Sequence, residues 1–320
     1  MIGNPNNNPS DSVAAKAGNP NQSVPEGFDS NHPHLLVDTA QQLGKSVEER
    51  IQHIAMDKFV LHDAAKRVLG AMKEVLILPK GVRPPCLAVI GGSNQGKSAT
   101  TKRFLRDYDA DFTGYHLDMA EVPILSVEMP PRATEPRLCL AIARALGLTG
   151  YSNAKSRVVS DNVYRALKQK CVRLVIFNEA QHALNNSRLE RSVVCDFIKG
   201  ISNLGISVIA VGTEDALTLF AEDEQVSNRM RVERLTPFNN NSAAFTDFLH
   251  AIEAHYPLPQ PSGLGSKPMA AEIYKRTLGN TGEVVMLCNA AAMLAVQTGA
   301  PCIDLPLLRK TVVRPTAKAA

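Results

Sequence analysis

The sequence contains no tryptophan, and its few aromatic residues are not interleaved with the basic ones. That argues against a surface on which single-stranded bases stack. Cysteine is sparse as well. Cys86, Cys139, Cys171, Cys195, Cys288 and Cys302 include no pair at the short spacing of a zinc site. Most lie in apolar runs, where a reduced thiol behaves as a small hydrophobe. The eight histidines form no metal-ligand spacing either. No apolar stretch approaches the roughly 20 residues that span a bilayer. The polar N-terminus lacks the pattern of a secretory signal, so the expected location is the cytoplasm, with no membrane partner. A formal charge of +4 permits contact with nucleic acid without demanding it.

What is present divides the chain by composition. Residues 1–34, rich in Asn, Pro, Ser and Gly, bury too little apolar surface to offset the entropy of ordering and are expected to be a disordered tail. Ser46 with Glu49 three residues on reads as a capping box. It opens a helical lead-in that runs through 50–56 into a second helix at 60–78. Apolar runs at 86–90, 122–129, 173–177, 206–211 and 231–235 alternate with helical patterns. The pattern predicts an α/β core, 35–237 with its lead-in, built on a parallel sheet covered on both faces. Beyond Pro237 only helical patterns remain, which predicts a small C-terminal helical domain at 238–313 and a tail at 314–320.

The chemistry begins with Gly91-Gly92-Ser93-Asn94-Gln95-Gly96-Lys97-Ser98, followed by Ala99. This is G-x-x-x-x-G-K-[ST] between an apolar strand and a helix. Glycines let backbone N–H groups wrap a β-phosphate, Lys97 reaches the β- and γ-phosphates, and the Ser98 hydroxyl ligates Mg²⁺. The expected ligands are therefore ATP and Mg²⁺.

A nucleotide hydrolase also needs a carboxylate near the metal and a group that orients water. The run 174–177 ends in Asn178-Glu179. Asn178 stands where an Asp is usual, so it can hold a metal-bound water but brings no charge. Glu179 remains to polarise the attacking water; the alternative is that it caps the next segment. Slow ATP hydrolysis is expected. His182, three residues on, invites a catalytic reading, against which stands a packing or capping role.

Together with Val127-Glu-Met-Pro-Pro131, Asn178-Glu-Ala-Gln-His182, Val208-Ile-Ala-Val-Gly-Thr-Glu-Asp-Ala216, Gln225-Val-Ser-Asn-Arg-Met230 and Thr281-Gly-Glu283, the chain resembles TniB/TnsC. These are AAA+ ATPase regulators of transposition, including those of CRISPR-associated transposons. The resemblance extends over about residues 35–311. It implies an AAA+ core with a helical lid, and assembly of the ATP-bound form into rings or filaments on double-stranded DNA. It also implies a link between a TniQ-type target selector and a DDE transposase of the TniA/TnsB type. It assigns Lys97 and Ser98 to nucleotide binding, Glu179 to catalysis and Thr213 to sensing the γ-phosphate. Arg229 is its candidate for an arginine acting on a neighbour's ATP, with Arg231 and Arg234 close by. The alternative for Arg229 is a surface ion pair with Glu222 or Glu224. Gly282-Glu283 stands where many AAA+ proteins carry a second sensor arginine, so no sensor is assigned there. Candidate DNA contacts are Arg132 and Arg137, Lys102, Arg103 and Arg106, with Lys155 and Arg157 a further basic spot. A different class of function is a signalling or adaptor NTPase that switches a protein partner without touching DNA.

Overall fold

The computed structural model describes residues 27–78, 84–112, 122–148, 156–185 and 187–313. Residues 1–26, Lys155 and the tail 314–320 lie outside them, as does the side chain of Arg157.

Five strands form one sheet: β1 Cys86–Gly91, β2 Ile124–Glu128, β3 Leu174–Asn178, β4 Ser207–Gly212 and β5 Met230–Leu235. All neighbours are parallel, in the order β2-β3-β4-β1-β5. β1 and β4 are buried along their whole length, which is why they read as continuous apolar runs rather than alternating ones.

Alternate residues feed two cores. Cys86, Ala88, Ile90, Val175, Phe177 and Ala210 pack with helices 135–145, 156–169 and 188–203. Leu87, Val89, Ile176, Ile209 and Val211 pack with helices 63–77 and 97–112. The edge strand β5 buries only Leu235 fully and carries charge instead. Arg231 pairs with Glu74 and Glu233, and Arg234 pairs with Glu214. Such an edge resists pairing with a stray strand.

A third core belongs to the C-terminal helices 243–253, 267–277, 281–298 and 305–310. One of its helices, 243–253, ends in a buried carboxylate. Glu253, 6% exposed, accepts hydrogen bonds from the backbone N–H groups of Ser262 (2.5 Å), Gly263 (2.9 Å) and Leu264 (2.8 Å), folding the loop that follows its helix back onto it.

Two expectations about the lead-in differ from what is found. The capping box forms as expected, with Ser46 Oγ accepting from Glu49 N–H and Glu49 Oε2 from Ser46 N–H. The helix it opens, Val47–Ala55, packs Ile54 into the lid cluster rather than into the α/β core. Arg50 donates to Pro257 O at 2.6 Å and Lys58 Nζ to His255 O at 2.9 Å. Residues 27–34, expected within the disordered tail, are held too. Leu35 is fully buried, Leu36 N–H donates to Ala254 O, and His34 Nε2 donates to Leu258 O. Within 27–34 itself, Asp29 N–H donates to Leu35 O and Phe28 bridges to Leu36, contacts that composition alone does not reveal. Non-helical residues 57–62 separate helix 47–55 from helix 63–77.

Candidate functional site

Strand order brings the predicted residues together. β4 lies between β1 and β3, so Thr213, just past the end of β4, stands between the loop that follows β1 and the Asn178-Glu179 pair that ends β3. This is the crevice at the carboxyl ends of a parallel sheet. A cavity of about 410 Å³ opens there, lined by residues 93–99 together with Glu179, Gln181, Thr213 and Gly282.

The loop turns through left-handed backbone at Asn94 (φ 59°) and Gly96 (φ 82°), leading its N–H groups to the start of helix 97–112. Gly91 is tightly enclosed: a Cβ there would lie 3.1 Å from Leu235 O and 3.2 Å from Leu235 Cβ. Lys97 is only 9% exposed. Its ammonium donates to the carbonyls of Gly91 and Gly92, both at 2.8 Å. Burial pushes its pKa down, opposed by the charge of Glu179. Gln95 Oε1 and Thr213 Oγ1 are buried in the described structure with no hydrogen-bond partner. Unpaired buried polar atoms are costly, and both belong to residues lining this cavity.

Glu179 sits in left-handed backbone (φ 54°), a conformation that costs a non-glycine residue about 1 kcal/mol. Such costs concentrate at functional sites. Asn178 Nδ2 donates to Ser126 Oγ at 3.0 Å, which leaves its amide oxygen as its acceptor. Glu128 lies directly opposite Asn178 in the β2–β3 register. Desolvation and then the charge of Glu179 push the Glu128 carboxyl up, against a hydrogen bond from Asn178. Ser98 is exposed at the first turn of its helix. A hydroxyl and an amide oxygen with carboxylates close by are donors suited to a hard divalent cation, although the described residues contain no cluster of three His, Cys, Asp or Glu that could hold a metal by itself.

The lid reaches the loop directly. Gly282 N–H donates to Asn94 O (2.7 Å), Asn280 Nδ2 to Ser93 O (2.9 Å) and Asn94 Nδ2 to Glu283 Oε1 (2.8 Å). The segment in which no sensor arginine is found therefore contacts the loop through the Gly282 backbone, the Asn280 amide and the Glu283 carboxylate. Neither these contacts nor the presence of Gln181 in the cavity wall was legible in the sequence, although Gln181 lies inside the quoted motif.

Arg229 lies elsewhere. Its carbonyl accepts from Cys86 N–H at the start of β1, the end of the strand remote from the loop. Six residues of strand separate them, about 20 Å. Its guanidinium donates to Ser202 Oγ at 3.4 Å, whereas Glu222, the acid considered for it, pairs with Arg191. His182 Nδ1 donates to Met129 O at 3.1 Å, which ties the 180–185 turn to the end of β2. Arg103 is engaged by Asp107 (2.7 Å) and lies over the Phe59 ring, and Arg137 donates to Pro131 O (2.8 Å). Lys102 faces Asp57 at 3.6 Å between two exposed side chains; Arg132 is exposed at a left-handed turn (φ 52°). A second cavity of about 340 Å³, lined by Asp57, Lys58, Phe59, Lys102, Arg103 and Arg106, meets the first at Ala99.

A family model described as bacterial TniB protein matches residues 50–240. A search among curated proteins finds no match. Solved structures show the same fold. The Aeropyrum pernix ORC1 protein in complex with DNA aligns with a TM-score of 0.61 at 16% identity, over 82% of this chain and 68% of that one. The Aeropyrum pernix ORC2 protein, solved as ADPNP-ADP complexes, gives 0.62 at 14%, over 84% and 72%. Cdc6p from Pyrobaculum aerophilum gives 0.56 at 17%, over 78% and 67%. The fold is that of AAA+ P-loop ATPases. No single helix among the described residues is long and apolar enough to cross a membrane.

Proposed function

The chain belongs to the TniB family, and on that premise we propose that it is an ATP-dependent regulator of DNA transposition, assembling on double-stranded DNA and linking a TniQ-type target selector to a DDE transposase. The carrying observation is the convergence of Lys97, Thr213 and Glu179 on one cavity. Lys97 is already aimed along the loop, and only an exchange of its two carbonyl partners for phosphate oxygens is needed to bind. Thr213 Oγ1 and Gln95 Oε1 offer unpaired polar atoms to a ligand or its waters. The adjoining cavity supports a nucleoside beside Ala99, with the Phe59 ring as an apolar surface and cationic side chains at its rim.

In this reading Glu179 orients the water that attacks the γ-phosphate. Ser98 and the amide oxygen of Asn178 would hold Mg²⁺, which neutralises phosphate charge. Glu128 beside Asn178 contributes negative charge that the amide lacks. A neutral ligand at position 178 favours weak metal binding and slow turnover. Arg229 is too far from its own loop, so any contact it makes with a triphosphate comes from a neighbouring subunit. The assembly therefore completes the site. Arg132 and Arg106, both exposed, are candidate phosphate contacts to duplex less committed within the chain than Lys102, which faces Asp57.

Electron microscopy of the protein on plain duplex with a nonhydrolysable ATP analogue and Mg²⁺ tests this directly. Ordered rings or filaments that require both nucleotide and DNA are expected. Nucleotide binding with no duplex binding under any nucleotide would overturn the DNA role in favour of a switch acting on a protein partner. Absence of nucleotide binding would overturn the whole reading.

A further inference from the structure

Between Glu179 and Thr213 stands one side chain that touches both. Gln181 Nε2 donates to Glu179 Oε2 at 2.5 Å, and Gln181 Oε1 accepts from Thr213 N–H at 3.1 Å. Both ends of one amide are used, which fixes its orientation and the distance between its two partners. The surroundings are shaped to admit it. Gln181 sits in the 3-10 turn Ala180–Asn185, one residue beyond β3, and its side chain reaches across to the residue that follows β4. Gly212, the last residue of β4, leaves the necessary space: a Cβ there would lie 2.8 Å from Gln181 Oε1 and 3.0 Å from Ala216 Cβ. Gln181 itself lines the cavity.

We propose that Gln181 is a positioning residue that couples the γ-phosphate-sensing end of β4 to the carboxylate of Glu179. The inference rests on the hydrolytic reading of the site given above. Its physical content is simple. Glu179 occupies a left-handed backbone conformation on a short turn, and a carboxylate on such a turn has several rotamers open to it. The amide selects one of them, and it does so from an atom anchored to the backbone of Thr213. A displacement of Thr213 on meeting a phosphate is thereby transmitted to the oxygen that orients water. Placement to within about 0.5 Å matters for such a group, and misplacement by about 1 Å costs on the order of 100-fold in rate.

The experiment is steady-state ATP hydrolysis, with affinity for a nonhydrolysable analogue measured in parallel. It compares wild type, Gln181→Ala, and Gln181→Met, which keeps the volume and removes both hydrogen bonds. Each is also made in a Glu179→Gln background. The expected result is a fall in kcat of tenfold or more for both single variants, analogue affinity within threefold of wild type, and no further fall when Gln181→Met is added to Glu179→Gln. A Gly212→Ala variant, which crowds the amide, should lose turnover without adding to the loss in Gln181→Met. Turnover within twofold of wild type in Gln181→Met, or raised above it, overturns the proposal. So does an additive loss in the Glu179→Gln background, or a fall in affinity that accounts for the fall in rate. Wild-type protein that binds nucleotide but never hydrolyses it overturns the hydrolytic reading instead, and the two failures are told apart by that control.

Discussion

Gly282 donates its backbone N–H to the carbonyl of Asn94 at 2.7 Å, so at this residue the first turn of a lid helix rests backbone to backbone on the phosphate loop. A Cβ at Gly282 would come within 2.5 Å of Asn94 O and 2.9 Å of its Cβ. Since the opposing atom is backbone, it cannot swing aside. Gly282→Ala should therefore push lid and loop apart. Overpacking of this kind costs about 1–3 kcal/mol. A lowered melting temperature together with weakened binding of a fluorescent ATP analogue is expected. Unchanged values for both would show that the contact is dispensable.

Asn178→Asp places a third carboxylate beside Glu128 and Glu179. Without metal, like charges in one crevice repel. With Mg²⁺ they become ligands. The Mg²⁺ concentration for half-maximal turnover should fall about tenfold, equivalent to about 1.4 kcal/mol, and turnover should rise. Titration of hydrolysis against Mg²⁺ checks this; an unaltered curve would remove the metal role assigned to position 178.

Arg229→Ala is expected to spare the affinity for a nonhydrolysable analogue and to cut hydrolysis by tenfold or more under conditions of assembly. Charge stabilisation by an arginine supplied in trans is of at least that size. Mixing this variant with Lys97→Ala should restore turnover, because mixed neighbours recreate one complete site. No restoration in the mixture would place Arg229 outside the chemistry.

In the lid, Glu253→Gln keeps the shape of the side chain but turns an N–H₂ group toward one of three backbone donors. Charged hydrogen bonds and the penalty for an unpaired buried donor are each worth about 1–3 kcal/mol. A loss of about 2–3 kcal/mol in urea unfolding is expected. A change under about 0.5 kcal/mol would mean that the loop is held by other means.

Acid should act on the same region through His255. Burial, followed by the charges of Lys58 and His53, pushes its pKa down to about 4. Burial also lowers His53 and His62. The unfolded chain then binds more protons than the folded one between about pH 6.5 and 4, so stability falls as pH drops through that window. Residual contact with solvent keeps the contribution of each ring below the full value of about 1.4 kcal/mol per pH unit. Melting curves from pH 7 to 4 should show the decline, and His255→Gln should flatten it. An unchanged slope would assign the acid sensitivity to other groups.

How much of this was legible in advance follows from the physics of each element. Buried parallel strands must be apolar throughout, so β1, β3 and β4 stood out, and the glycine loop between strand and helix marked the site. Ser46 and Glu49 carry their capping chemistry in their spacing. Periodicity shows that a helix buries one face but not against what, which is why the destination of Ile54 was missed. Gln181 was invisible for a related reason: its meaning arises only when a 3-10 turn aims it at a residue on another strand. The lid contact at Gly282 likewise depends on two backbones meeting, and a backbone carries no letter in a sequence.

The lead-in helix sits with the lid, so the polypeptide enters that body, leaves it for the sheet, and returns. Two crossings join the bodies, one at 57–62 and one just past β5. They touch: the rings of His62 and Phe238 lie 5.2 Å apart. The two connections therefore stand side by side, and an opening over the cavity would have to bend both of them at once.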